Sequence, residues 1–98
     1  MKTLINKGTS IKKDETSTIN YFDLFISVVQ KQPQEGFTID EIRKRLRIVS
    51  ALESKLMLES SDMEDADFDL LLACWKQMRW GIPSMDIVAA DDYLDSLK

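Results

Sequence analysis

Four basic residues fall within five positions, Arg43, Lys44, Arg45 and Arg47, inside the stretch GFTIDEIRKRLRIVSALESKL (residues 36–56). Such a cluster can hold phosphates of a nucleic acid weakly and in a salt-dependent way, or it can be the solvated face of an amphipathic helix. The charge balance favours the helix face: thirteen Lys/Arg stand against seventeen Asp/Glu and the isoelectric point is about 4.7, whereas nucleic-acid-binding domains are usually basic overall. Arg43, Lys44 and Arg47 point away from the apolar stripe of that helix and Arg45 lies nearer its edge. The acidic run DMEDADFD (62–69) invites a calcium reading, with Asp65, Asp67 and Asp69 at the first, third and fifth positions of an EF-hand loop. The sixth position then holds Leu70 in place of Gly, and the twelfth holds Lys76 in place of Glu. Acids in the first turns of a helix, favoured by its dipole, account for the run, and no metal is expected.

The chain has no histidine. That removes the commonest general acid/base, the His-activated nucleophiles and the usual zinc ligands together. Cys74 sits within LLLACWKQM without a thiolate-stabilising neighbour in sequence, which points to a core thiol in a reducing compartment. The three glycines, at 8, 36 and 81, are isolated and form no phosphate-binding loop. The expectation is a protein that is not an enzyme, with no cofactor, no metal and no small-molecule substrate. Trp75 falls in register with an apolar stripe. Trp80, beside Gly81 at a helix end, is the candidate anchor for a partner, because aromatics in that position dominate interface energies.

Four helices must position these residues. In TINYFDLFISVVQKQ (18–32), Ile19, Phe22, Ile26 and Val29 form one stripe and Tyr21, Phe25 and Val28 a second, leaving a narrow polar strip. Ser17 or Thr18 can cap it and Pro33 stops it. So apolar a helix carries more surface than a small bundle covers, which implies oligomerisation or a dedicated partner. Thr38 and Glu41 make a capping box and Phe37 and Ile42 a hydrophobic staple, opening a helix from 38 to about 57 with Ile39, Ile42, Leu46, Val49, Leu52 and Leu56 along one stripe. Ser61 and Glu64 form a second box for a third helix striped by Phe68, Leu71, Trp75 and Met78. Gly81 in the left-handed conformation, Ile82 and Pro83 end it. Ser84 caps the last helix, with Ile87, Ala90, Leu94 and Leu97 inward. Short connections make neighbours antiparallel.

The predicted fold is therefore all-α, a small four-helix bundle-like domain over residues 16–98 behind a flexible N-terminal tail, residues 1–15, read as a mobile tail or a short strand and ordered only if something holds it. Residues 1–58 hold ten Lys/Arg and seven Asp/Glu, a net +3, while residues 62–98 hold three and nine, a net −6. Halves of opposite sign can pair within one chain or head to tail between copies. No apolar run is long enough to span a bilayer, no secretory signal is read at the N-terminus, and the cytoplasm is the expected location.

The runs GFTIDEIRKRLRIVSALE and MEDADFDLLLACWKQMRW, within residues 18–95, resemble small acidic proteins encoded by bacteriophages and prophages, which have no assigned role. The resemblance implies a viral protein in the cytoplasm of a host bacterium, used in assembly or in modulating host machinery. It carries no catalytic residues. The functional expectation is a non-catalytic interaction protein that binds a partner protein or itself through Arg43, Lys44, Arg47 and Trp80. The alternative is a winged-helix-like DNA-binding regulator with TIDEIRKRL and SALESKL as crossing helices, which needs a helix break near Ser50 and a β-wing at KLMLES. A nucleic-acid partner stands second to a protein one, and no membrane is involved.

Overall fold

An extended segment needs partners for its backbone groups, and the N-terminal residues find them far along the chain. The computed structural model describes residues 2–12, 15–31, 36–55, 59–81 and 83–97. In order these form β1 (Lys2–Ile5), β2 (Gly8–Lys12), β3 (Thr18–Asn20), α1 (Tyr21–Gln30), α2 (Ile39–Glu53), β4 (Ser60–Met63), α3 (Asp65–Gln77) and α4 (Met85–Ser96). β1 pairs antiparallel with β4, Leu4 opposite Ser61, and β2 pairs antiparallel with β3 across an irregular register. The fold is mixed α/β. The all-α, helical-bundle expectation is overturned by these two small sheets, and the expected tail supplies both β1 and β2.

The missed strands are too short to show a period. β1 contributes a single large inward residue, Leu4, fully buried, and β4 turns Ser61 and Met63 inward. Pairing that crosses most of the chain is set by tertiary contact, not by local pattern. It also displaces helix starts. Ser61 belongs to β4, so the expected Ser61–Glu64 capping box does not form, and α3 begins at Asp65 after Glu64. Thr18 likewise lies in β3, and Asn20 caps α1: its Oδ1 accepts from Asp23 N at 2.9 Å while its own N–H donates to Asp23 Oδ2 at 3.0 Å.

The remaining helix signals fare unevenly. Gly36 takes φ +80° in the turn before α2, a conformation that favours glycine. Thr38 Oγ1 accepts from Glu41 N at 3.2 Å, and Ser84 Oγ from Asp86 N at 3.2 Å, as their positions predict. α2 runs unbroken through Ser50 to Glu53, so the interruption required by two crossing helices is absent from it. The wing segment falls partly on residues 56–58, outside the described residues, as do Pro33 and Ile82. α3 stops at Gln77, and Gly81 does not take the left-handed conformation of the expected helix end.

α1 is the centre of the core. Phe22, Phe25, Val28 and Val29 are buried, and Phe25 meets Trp75 of α3 edge-on at 5.8 Å. Ile48, Val49 and Leu52 of α2 and Phe68 and Leu71 of α3 close over it. α4 is tied down through polar contacts: Trp75 Nε1 donates to Asp91 Oδ1 at 2.9 Å, Lys76 Nζ bonds the same oxygen at 2.7 Å, and Ile5 N donates to the Tyr93 hydroxyl at 2.8 Å. No helix among the described residues is long and apolar enough to cross a membrane.

Candidate functional site

α2 carries apolar residues on two different surfaces, one turned inward and one outward. Its inner surface, Ile48, Val49 and Leu52, is buried. Ile48 lies off the expected stripe, so the helix is rotated relative to that reading and the N-terminal part of the stripe faces out. Ile39 is 66 % exposed, Leu46 54 % and Ile42 37 %. At spacings of three and four these three form a row two turns long. Beside them a groove of about 250 Å³ runs between α1 and α2, walled by Val29, Phe37, Ile42, Leu46, Val49 and Arg45.

Arg45 builds the end of that groove. Its guanidinium stacks over the Phe37 ring at 4.8 Å, and Nη1 donates to the Val29 carbonyl at 2.8 Å. That carbonyl belongs to the last turn of α1, whose oxygens have no partner within the helix. Arg45 Nε is buried without a hydrogen-bond partner among the described residues. Beneath it lies Cys74, buried, whose thiol is pushed up by burial while the Arg45 guanidinium draws it partly back.

The four residues expected to make the site are not brought together. The side chains of Arg43 and Lys44 are exposed and carry no hydrogen bond or ion pair among the described residues. Arg47 is engaged internally: Nε donates to Asp67 Oδ1 at 3.1 Å and Nη2 bonds the same oxygen, fastening α2 to the first turn of α3. Trp80 stands apart from α2, half-buried against Trp75 with ring centroids 5.0 Å apart, and borders a second depression with Met78, Ile87 and Val88. Next to that depression Met85 is 77 % and Val88 48 % exposed.

Ile39, Ile42 and Leu46 were legible only as core residues. The available signal was width: with Ile48 added to the stripe, the apolar arc of α2 exceeds what one neighbouring layer covers. The surplus apolar surface expected on α1 is instead absorbed by α2, α3 and the strands, and the exposed surplus lies on α2.

Compared with protein-family models, curated proteins and solved structures, the chain matches none.

Proposed function

We propose that the protein acts by binding another protein, without catalysis, and that the outward face of α2 is its docking site for an apolar helix flanked by acidic residues. The observation that carries this reading is the row Ile39, Ile42 and Leu46, exposed beside a groove and bordered by Arg43, four residues on from Ile39 and three before Leu46. An amphipathic helix laid in a groove uses this arrangement, with anchors at i, i+3 and i+7, and Arg43 selects the sign of the flanking charge. Among the described residues the groove offers no open nucleophile, since Cys74 is buried and its thiol raised by burial. A phosphate-binding role for the basic cluster would have to do without Arg47, which Asp67 holds. A role of this kind suits the assembly or host-modulating tasks implied by the resemblance to phage-encoded proteins.

The test is a titration of the isotope-labelled protein with two designed helical peptides of identical apolar face, one flanked by Glu and one by Lys, followed by amide chemical shifts. Perturbations confined to residues 36–49 and adjacent α1, with the acidic peptide bound about tenfold more tightly, are expected. Scattered shifts, or equal affinity for both peptides, would overturn the reading.

A further inference from the structure

The α2 face has a counterpart in the same chain. On α4, Met85 and Val88 form an exposed apolar step, and Asp92, exposed, follows Val88 by one turn on the same side. Asp95 lies on that side too, shared with Lys76 at 3.1 Å, and Trp80 stands at the edge of the depression that Val88 lines. α4 thus offers apolar residues bordered by acids, where α2 offers apolar residues bordered by a cation, Arg43.

Building on the docking reading, we propose that the occupant of the α2 face is the α4 face of a second copy of this chain, the copies joining head to tail. Charge selects this pairing over the symmetric ones. A contact of α2 with α2 centred on Ile42 and Leu46 sets Arg43 beside Arg43, and a contact of α4 with α4 centred on Val88 sets Asp92 beside Asp92. α2 against α4 sets Arg43 beside Asp92. The same division runs through the whole chain, with a net +3 over residues 1–58 and a net −6 over residues 62–98.

A head-to-tail contact leaves one unused face of each kind on the pair, so growth continues until a ring closes or a filament forms. The apolar side chains on the two faces are few, three on α2 and two on α4. Each contact is therefore weak, and assembly depends on concentration and salt.

Light scattering coupled to size-exclusion chromatography tests this, over about 10 μM to 1 mM protein and roughly 50 to 500 mM salt. The average mass should rise above 11.3 kDa with concentration and fall back as salt is added. Leu46→Glu blocks one face and Val88→Lys the other, and each variant alone should stay monomeric. An equimolar mixture of the two should give a dimer that grows no further, because only the intact α4 face of the first and the intact α2 face of the second remain. As a check that does not touch the apolar rows, Arg43→Glu and Asp92→Lys should each weaken assembly about tenfold, and the chain carrying both should regain it.

A wild-type chain monomeric throughout, a Val88→Lys variant that still assembles, or a mixture that stays monomeric would overturn the head-to-tail proposal. If the designed acidic peptide still shifts α2 in that case, the docking reading stands with a different partner. If neither occurs, both fail.

Discussion

α1 and α2 carry apolar residues at the same helical spacing, yet one is covered and the other is half bare. α1 buries Tyr21, Phe22, Leu24, Phe25, Val28 and Val29 within ten residues, while α2 buries only Ile48, Val49 and Leu52 within fifteen. The difference lies in neighbours. α1 sits between α2 and α3 and follows directly on β3, so all of it but the stripe Asp23, Ser27 and Gln30 has something to meet. α2 stands at the edge, with α1 and α3 on one side, and its first two turns project past them. Periodicity reports that a face must be covered. It does not report by what.

The sharpest way to break the comparison is to truncate one apolar side chain on each helix. Phe25→Ala removes a fully buried ring packed on Trp75, Tyr21 and Phe22. The loss should be about 3–5 kcal/mol by urea denaturation, a large part of the stability of a domain this size. Leu46→Ala, at a residue 54 % exposed, should change stability by less than about 0.5 kcal/mol while weakening whatever occupies the groove. Comparable losses at the two positions would mean that the α2 row is internal packing.

The cations divide in the same way. Arg47→Ala strands the Asp67 carboxylate, only 10 % exposed, and should cost about 1–2 kcal/mol, discounted because the arginine side is 63 % exposed. Arg43→Ala and Lys44→Ala should each stay within about 0.5 kcal/mol. A double-mutant cycle with Asp67→Ala isolates the pair energy. Reversing all three cations at once would confuse binding with folding, since Arg47→Glu sets two carboxylates together at the α2–α3 junction.

The sequence carried the helices and much of their capping, because Thr38, Ser84 and the 3.6-residue stripes act within a few positions of one another. It did not carry β1 and β4, where Leu4 meets Ser61 across more than half the chain and neither strand is long enough to alternate visibly. With Ser61 available as a cap the sequence pattern starts α3 too early, and with Thr18 available it does the same for α1. At the candidate site the residue types were readable and their partners were not. Arg47 looks no different from Arg43 in sequence, and only the approach of α3 commits it to Asp67. Ile39, Ile42 and Leu46 obeyed the core pattern and remained outside, because the neighbour that would have covered them ends too soon.

The smallest effect probes the covered side of α2, at Arg45 and Cys74. Burial holds the Cys74 thiol above the range of an ordinary cysteine, and the nearby Arg45 guanidinium lowers it in part. The folded state therefore favours the protonated thiol. Its contribution to stability is complete below the unfolded pKa and is lost as pH rises through the higher folded value. Alkylation by iodoacetamide, followed by mass spectrometry across alkaline pH, should show a midpoint above that of the unfolded chain and slow reaction at neutral pH. Arg45→Gln removes the cation while keeping a side chain able to bond the Val29 carbonyl, so it should move the midpoint higher still. A midpoint that falls on Arg45→Gln would mean that water has entered beside Cys74, that Arg45 was sealing the groove rather than tuning the thiol, and that the inner and outer sides of α2 differ less in exposure than Ile48 and Leu46 imply.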